Sequence, residues 1–207
     1  MKCRDVHLFV FDSLSDWEPG YAAVGINNPR FQTNPGQFRI RTVGLSENSV
    51  LTMGGVRILP DLALDSLSPE NSAMLILPGG DAWDIGGNME AVEVASVFLK
   101  SGVPVAGICG ATAGLARGGL LDDRRHTSNS REYLAATGYR GLEFYEDAPA
   151  VTDNNLITAP GTAPLDFARH IFECLALYPP EVLDAWYMLF KTGKPEYFAQ
   201  LMRAVGA

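Results

Sequence analysis

Cys109 is the residue in this chain with the clearest chemical setting. It stands in the run V-P-V-A-G-I-C-G-A-T-A-G-L-A. Residues 103–108 are short, apolar and bounded by the breakers Gly102 and Pro104, which is the pattern of a buried parallel strand. Residues 111–117 then read as a helix of small residues. A cysteine at such a junction occupies a nucleophile elbow, a sharp turn that holds the side chain out over the end of a sheet. G-x-C-x-A departs from G-x-S-x-G at its last position, where Ala111 replaces glycine. The unpaired N–H groups of the following helix lie beside the sulfur and favour a thiolate. The alternative is a buried, inert thiol, since free cysteines are commonly buried; the elbow favours a functional one.

Two more segments belong with this elbow if they end at the same sheet edge. One is the loop after the first strand, with Asp16, Trp17 and Glu18; the other is Pro78-Gly79-Gly80. Bare backbone amides at Gly79 and Gly80, with the amide of Gly110 just after the cysteine, are the material of an oxyanion hole. Most loop carboxylates are simply solvated. A carboxyl held in an apolar pocket instead has its pKa raised and stays protonated as a donor.

The elements that must position these residues alternate strand and helix. Strands are expected at 6–11, 37–44, 75–77, 103–108 and 125–128, with a late pair at 151 and 156–158 around D-N-N. Residues 50–59 read as a hairpin on Gly54-Gly55. Helices are expected at 21–26, 89–100, 111–117, 131–137 and 167–175. This alternation predicts a doubly wound, mostly parallel α/β sheet with helices on both faces and ligands at the strand C-terminal ends. After Tyr178-Pro179-Pro180 the pattern changes to two helices, 181–190 and 195–205. The expected organisation is an α/β domain over 1–178 and a C-terminal helical hairpin over 179–207. The hairpin's aromatics, Trp186, Tyr187, Phe190, Tyr197 and Phe198, must be covered by the domain's own surface or by a second copy.

Composition sets the outer bounds. The net charge of -8 over 207 residues offers no basic face for nucleic acid or an anionic membrane surface. No apolar stretch approaches a membrane span, and the start M-K-C-R-D-V-H-L-F-V-F-D reads as a first strand, not a signal peptide. Cys3, Cys109 and Cys174 make no disulfide framework, which points to a reducing cytoplasm. His170 and Cys174 share a helix face but have no further ligand near them in sequence, so no metal is expected. The loop G-G-D-A-W-D-I-G-G-N lacks the lysine of a phosphate loop. No flavin, nucleotide or other cofactor is expected.

Taken together, F-V-F-D-S-L-S-D-W-E, L-I-L-P-G-G, A-G-I-C-G-A-T-A-G-L-A and L-I-T-A-P-G-T-A-P-L-D-F-A resemble the ThiJ/PfpI family. This is the class I glutamine amidotransferase-like superfamily that includes the Parkinson-disease-associated deglycase. The resemblance implies a flavodoxin-like, three-layer α/β sandwich, usually a homodimer. It implies Cys109 as nucleophile, Glu18 as the acid touching its sulfur, and Gly79 and Gly80 as oxyanion donors. It does not fix the reaction, because one fold hosts many functions.

One position departs from the pattern. Many members of that family carry a histidine about twenty residues past the cysteine, where this chain has Asn129; the nearby histidine is His126. Side chains an odd number apart in a strand face opposite ways, so His126 and Asn129 cannot both reach the sulfur. Asn129 could orient a substrate but could not act as a base. The preferred reading is a cysteine enzyme for a small molecule, acting on a reactive carbonyl or similar electrophile through Cys109 and Glu18. Glyoxalase- or deglycase-like lyases and isonitrile hydratases are the models. The alternatives are a redox or stress-response protein oxidised at Cys109, a cysteine peptidase or amidase, and a non-catalytic binding domain. Asp16 remains an alternative to Glu18.

Overall fold

Strands that are apolar on both faces have to lie in the interior of a parallel sheet. The computed structural model describes residues 3–206. Its strands are β1 (Arg4–Phe9), β2 (Phe38–Gly44), β3 (Val50–Leu51), β4 (Arg57–Ile58), β5 (Leu62–Ala63), β6 (Ser72–Leu77), β7 (Val105–Ile108), β8 (Val151–Asp153) and β9 (Leu156–Ala159). One seven-stranded sheet has the order β5-β2-β1-β6-β7-β9-β8, and β3 pairs with β4 in a separate hairpin. Every pairing in the large sheet is parallel except β8 with β9. All of β6 and β7 is buried, as central position requires.

The helices are α1 (Gly20–Asn27), α2 (Asp81–Asp84), α3 (Met89–Lys100), α4 (Gly110–Arg117), α5 (Arg131–Ala135), α6 (Pro164–Cys174), α7 (Pro180–Thr192) and α8 (Pro195–Ala204). α1 packs on α6, and α3 on α4, on β6 and on β7. The expected α/β class and mostly parallel sheet are the observed ones. The helices that flank it bury Phe9, Phe98, Phe167 and Phe172 completely.

The C-terminal helices α7 and α8 pair with each other, and α7 lies on α6. Trp186 is 5% exposed, with its ring centroid 5.1 Å from Phe172 and 6.2 Å from Tyr21. Part of the hairpin's aromatic surface is therefore covered by the chain itself. Beside it the buried carboxylate of Asp166 accepts from Tyr187 Oη at 2.7 Å and from Lys191 Nζ at 2.8 Å.

Three local differences from expectation have physical causes. Residues 125–128 form no strand, only an isolated bridge between His126 and Tyr145. Side chains replace the ladder there: Thr127 N–H donates to Thr158 Oγ1 at 2.9 Å, and Thr127 Oγ1 donates to Ala148 O at 2.9 Å. α6 begins at Pro164 rather than 167, because proline is well suited to a first helical turn that needs no N–H. β5 and α2 are too short to leave a periodic signal.

Candidate active site

The C-terminal ends of β1, β6 and β7 lie side by side in the sheet, so the loops that follow them share one edge. At the end of β7 the chain turns through Cys109 with φ 56 and ψ −123 and enters α4 directly. A non-glycine residue with such a φ costs roughly 1–3 kcal/mol and persists only where its surroundings hold it. Here the Cys109 N–H donates to Ala159 O of β9 at 2.9 Å. The small neighbours have steric reasons. A Cβ on Gly107 would lie 2.6 Å from Leu115 Cδ1, and one on Gly110 would lie 3.0 Å from Trp83 Cβ.

Glu18 arrives from the loop after β1. It is 1% exposed, and its Oε2 accepts from the Gly79 N–H at 2.5 Å, while Oε1 has no partner. Gly79 and Gly161 explain how closely carboxyl and thiol approach. A Cβ at Gly79 would stand 2.8 Å from Glu18 Oε2 and 3.0 Å from Cys109 Sγ. At Gly161 it would stand 3.1 Å from Oε1 and 2.8 Å from Sγ. Two bare backbone segments thus face the pair.

Burial pushes Glu18 up to about 7, against the opposing pull of the Gly79 N–H. The carboxyl therefore holds its proton through much of the neutral range. The thiol differs from expectation. Burial first, and then the negative charge of Glu18, push Cys109 up to about 11, whereas the Asn129 amide and the Gly110 N–H pull it down. The helix N-terminus is present, but desolvation of the sulfur outweighs it.

Asn129 Nδ2 donates to Cys109 Sγ at 3.4 Å, and its Oδ1 accepts from the Gly161 N–H at 2.9 Å. His126 is fully buried elsewhere, with Nδ1 2.7 Å from Arg124 O and Nε2 2.8 Å from Tyr139 Oη. Of the two candidates, Asn129 is the one at the sulfur. Asp16 is also turned away from it. Its carboxylate accepts from Thr52 Oγ1 at 2.5 Å and from the Gly54 N–H at 2.6 Å, tying the Glu18 loop to the β3–β4 hairpin. The Gly79 N–H is occupied by Glu18, which removes it from the expected oxyanion donors. Gly80, at the start of α2, and Gly110, whose N–H has no intrahelical acceptor as the first residue of α4, remain.

The sulfur opens into a cavity of about 610 Å³. Trp17, Met53, Asp84, Tyr133 and Thr162 line it together with Glu18 and Cys109. Sequence reasoning missed Gly161, Asp84 and Tyr133. For Gly161 a signal existed in the A-P-G-T-A-P run, where a glycine follows the proline at the end of a strand. Tyr133 and Asp84 sit on short helices with no spacing to mark them. His170 pairs through Nδ1 with Thr152 Oγ1 at 2.7 Å, and Cys174 is exposed. Among the described residues no three His, Cys, Asp or Glu side chains are grouped to hold a metal ion.

Comparison with known proteins assigns the family. The DJ-1/PfpI family model matches residues 4–174. The chain belongs to the DJ-1/PfpI family. A relative named "uncharacterized protease YoaZ", from Bacillus subtilis (strain 168), is 41% identical over 99% of this chain and 99% of its own. Among solved structures, the thiJ/pfpI family protein from Bacillus anthracis superposes with a TM-score of 0.93 at 42% identity, covering 100% of this chain and 99% of that one. The more distant deglycase PfpI of Pyrococcus furiosus is 32% identical, over 55% of this chain and 68% of its own. The resemblance read from the four sequence motifs is thus the family that residues 4–174 match. The DJ-1/PfpI model stops at the end of α6, and α7 and α8 lie beyond it.

Proposed function

We propose that this DJ-1/PfpI protein is a cysteine-dependent enzyme for small electrophiles, with Cys109 as nucleophile and Glu18 as proton donor. The observation that carries the reading is the buried Glu18 carboxyl, raised to about 7 and packed beside a sulfur that opens into a cavity. In the step that follows from it, the Cys109 thiolate adds to a carbonyl carbon. A C–S bond forms, the π pair moves to oxygen, and that oxygen takes the Glu18 proton to give a hemithioacetal. The amides of Gly80 and Gly110 support the developing charge. Glu18 then recovers a proton from water or from the substrate carbon as the adduct rearranges. Because burial and the charge of Glu18 hold the thiol high, the thiolate is a minor species; its proton goes to solvent water, and its charge is least opposed while Glu18 is protonated.

Amide cleavage fits this site poorly. The addition step has already passed the Glu18 proton to the carbonyl oxygen, and no imidazole lines the cavity among the described residues, so a departing amine finds no second general acid, a help of about a hundredfold or more. Peptidase and amidase activity is therefore expected to be weak or absent, and turnover on small carbonyls such as methylglyoxal to dominate. Assays of methylglyoxal, isonitrile and peptide substrates with wild type and Cys109→Ala test the reading. Carbonyl turnover lost in Cys109→Ala supports it; turnover surviving that substitution, or none on any small electrophile, overturns it.

A second reading is supported by the unpartnered Glu18 Oε1 beside the sulfur. A protonated carboxyl there would donate to a sulfinate oxygen after oxidation of Cys109. Mass spectrometry after mild peroxide, on wild type and Glu18→Ala, distinguishes it. We also infer a homodimer, supported by Val24 of α1 and Phe190 of α7, which are 64% and 51% exposed, and light scattering decides it. This reading keeps an α/β domain over 1–178 and a C-terminal helical extension over 179–207. A cytoplasmic location is supported by three free cysteines.

A further inference from the structure

The walls of the cavity above Cys109 carry charge of one sign. Asp81 and Asp84 line it beside the buried Glu18, whose carboxyl adds to that charge only as it loses its proton at about 7, and among the described residues no lysine, arginine or histidine does. Tyr133 donates its hydroxyl proton to Asp84 Oδ1 at 2.6 Å. The phenolic oxygen and the second carboxylate oxygen are therefore left as acceptors. Arg117 is held on main-chain carbonyls, with Nη1 donating to Trp83 O at 2.6 Å and Nη2 to Asp84 O at 3.4 Å, and its charge is felt at the Tyr133 hydroxyl. It forms no ion pair with the Asp84 carboxylate. Asn129, the cavity's amide donor, is directed at the sulfur. Independently of the exposed acids, Glu18 presents a buried, unpartnered Oε1 within the same lining. Trp17, 56% exposed, adds an aromatic face at the rim, a surface that attracts cations.

We propose that the candidate site selects a positively charged partner for Cys109, with an ammonium group seated against Asp84 and the Tyr133 oxygen. Resting on the enzymatic reading above, this makes the substrate class a small aldehyde or ketone that bears an ammonium group. Anionic carbonyl compounds, such as keto acids and sugar phosphates, are turned away. Asp84 and Tyr133 are then specificity-determining residues. The physical basis is field focusing: a cleft lined by one sign of charge raises the local concentration of counter-ions by about ten- to a thousandfold.

The test uses thiol reagents of matched size and different charge. Methanethiosulfonates with an ammonium, a neutral or a sulfonate head all react alike: the thiolate attacks the sulfenyl sulfur, a mixed disulfide forms, and methanesulfinate leaves. Rates at Cys109 are read by peptide mass spectrometry and divided by those of the same reagents with free 2-mercaptoethanol, which normalises intrinsic reactivity. The ammonium reagent should outpace the sulfonate at Cys109 by about tenfold after that correction, and the preference should shrink as salt is raised. Asp84→Asn should reduce it several-fold. Glu70→Gln, an equal change of net charge before β6 at the opposite end of the sheet, should leave it unchanged. A corrected ratio of one, or one that responds equally to Glu70→Gln and Asp84→Asn, overturns the proposal. Turnover is scored separately with aminoacetaldehyde, glycolaldehyde and glyoxylate. Carbonyl turnover without a charge preference sinks the cation site and leaves the enzyme standing. A labelling preference with no turnover of any of the three sinks the enzymatic reading and retains the cation site.

Discussion

Asn129 links the sulfur of Cys109 to the backbone of Gly161, donating to Sγ at 3.4 Å and accepting from the Gly161 N–H at 2.9 Å. One amide thus does two jobs, favouring the thiolate and fixing the loop that closes over it. Asn129→Ala removes both. The loss of a hydrogen bond of about 1 kcal/mol predicts iodoacetamide labelling of Cys109 at neutral pH slowed about fivefold. A labelling rate equal to wild type would mean that the amide does not act on the thiol.

His126 gives the contrasting expectation. Its ring is buried, and burial holds it below its ordinary value, so it is a neutral hydrogen-bonding group between Arg124 O and Tyr139 Oη. His126→Ala should cost stability of roughly 1–3 kcal/mol, read by urea unfolding, while Cys109 labelling and any turnover change less than twofold. A large loss of reactivity in a folded, equally stable variant would contradict this division of roles.

How much of this was legible in the sequence differs residue by residue. The elbow was readable because its causes are local: an apolar run, a cysteine and small residues in a fixed order. Helix 89–100 was readable for the same reason, a sustained period ending in Lys100 and Gly102. The shift of Gly79 from oxyanion donor to partner of Glu18 was not, since it depends on which of two adjacent amides a carboxyl from another loop reaches. Nor was the rise of the Cys109 thiol. The sequence places the sulfur at a helix N-terminus, but how deeply it is buried, and how close Glu18 comes, are tertiary facts. Asp84 and Tyr133 lie 49 positions apart and meet only through the packing of α2 and α5 about the cavity.

Gly161 is expected to be intolerant of a methyl group. A Cβ there would sit 2.8 Å from Cys109 Sγ and 3.1 Å from Glu18 Oε1, so Gly161→Ala must displace the sulfur, the carboxyl or the loop. Overpacking of this kind costs about 1–3 kcal/mol. The variant should melt earlier than wild type and label more slowly at Cys109. Unchanged melting and labelling together would show that the loop has slack.

The extension should be held by Asp166. Burial acts to raise this carboxyl, but the Lys191 ammonium and the Tyr187 hydroxyl hold it below its ordinary value. Its side chain is 7% exposed, so Lys191→Met leaves a carboxylate without its cation. Because the folded value is depressed, the stabilisation is present above the unfolded carboxylate range and is lost as pH falls through the folded value. Protection factors in α7 and α8, taken against the intrinsic exchange rate at each pH, should therefore fall in Lys191→Met at neutral pH, and in wild type as the solution is acidified. Protection of both helices unaltered by Lys191→Met would show that aromatic packing on α6 alone holds them.

Glu18 predicts the opposite pH trend. Its carboxyl has an ordinary value of 4.5 and is raised to about 7 in the folded chain. Between those values the folded protein keeps a proton that the unfolded chain has released, so stability falls as pH rises across that window. The contribution is complete below 4.5 and gone above about 7, and a displacement of this size corresponds to roughly 3 kcal/mol. Glu18→Gln has no proton to lose there. Urea unfolding at pH 5 and pH 8 should show wild type losing a few kcal/mol more than Glu18→Gln over the same interval. The same substitution removes the negative charge that helps hold Cys109 up, so ultraviolet titration should find the thiolate forming at lower pH in Glu18→Gln than in wild type. Equal losses of stability in the two proteins, with superimposable thiolate curves, would mean that Glu18 is ionised throughout and is not the proton donor of this site.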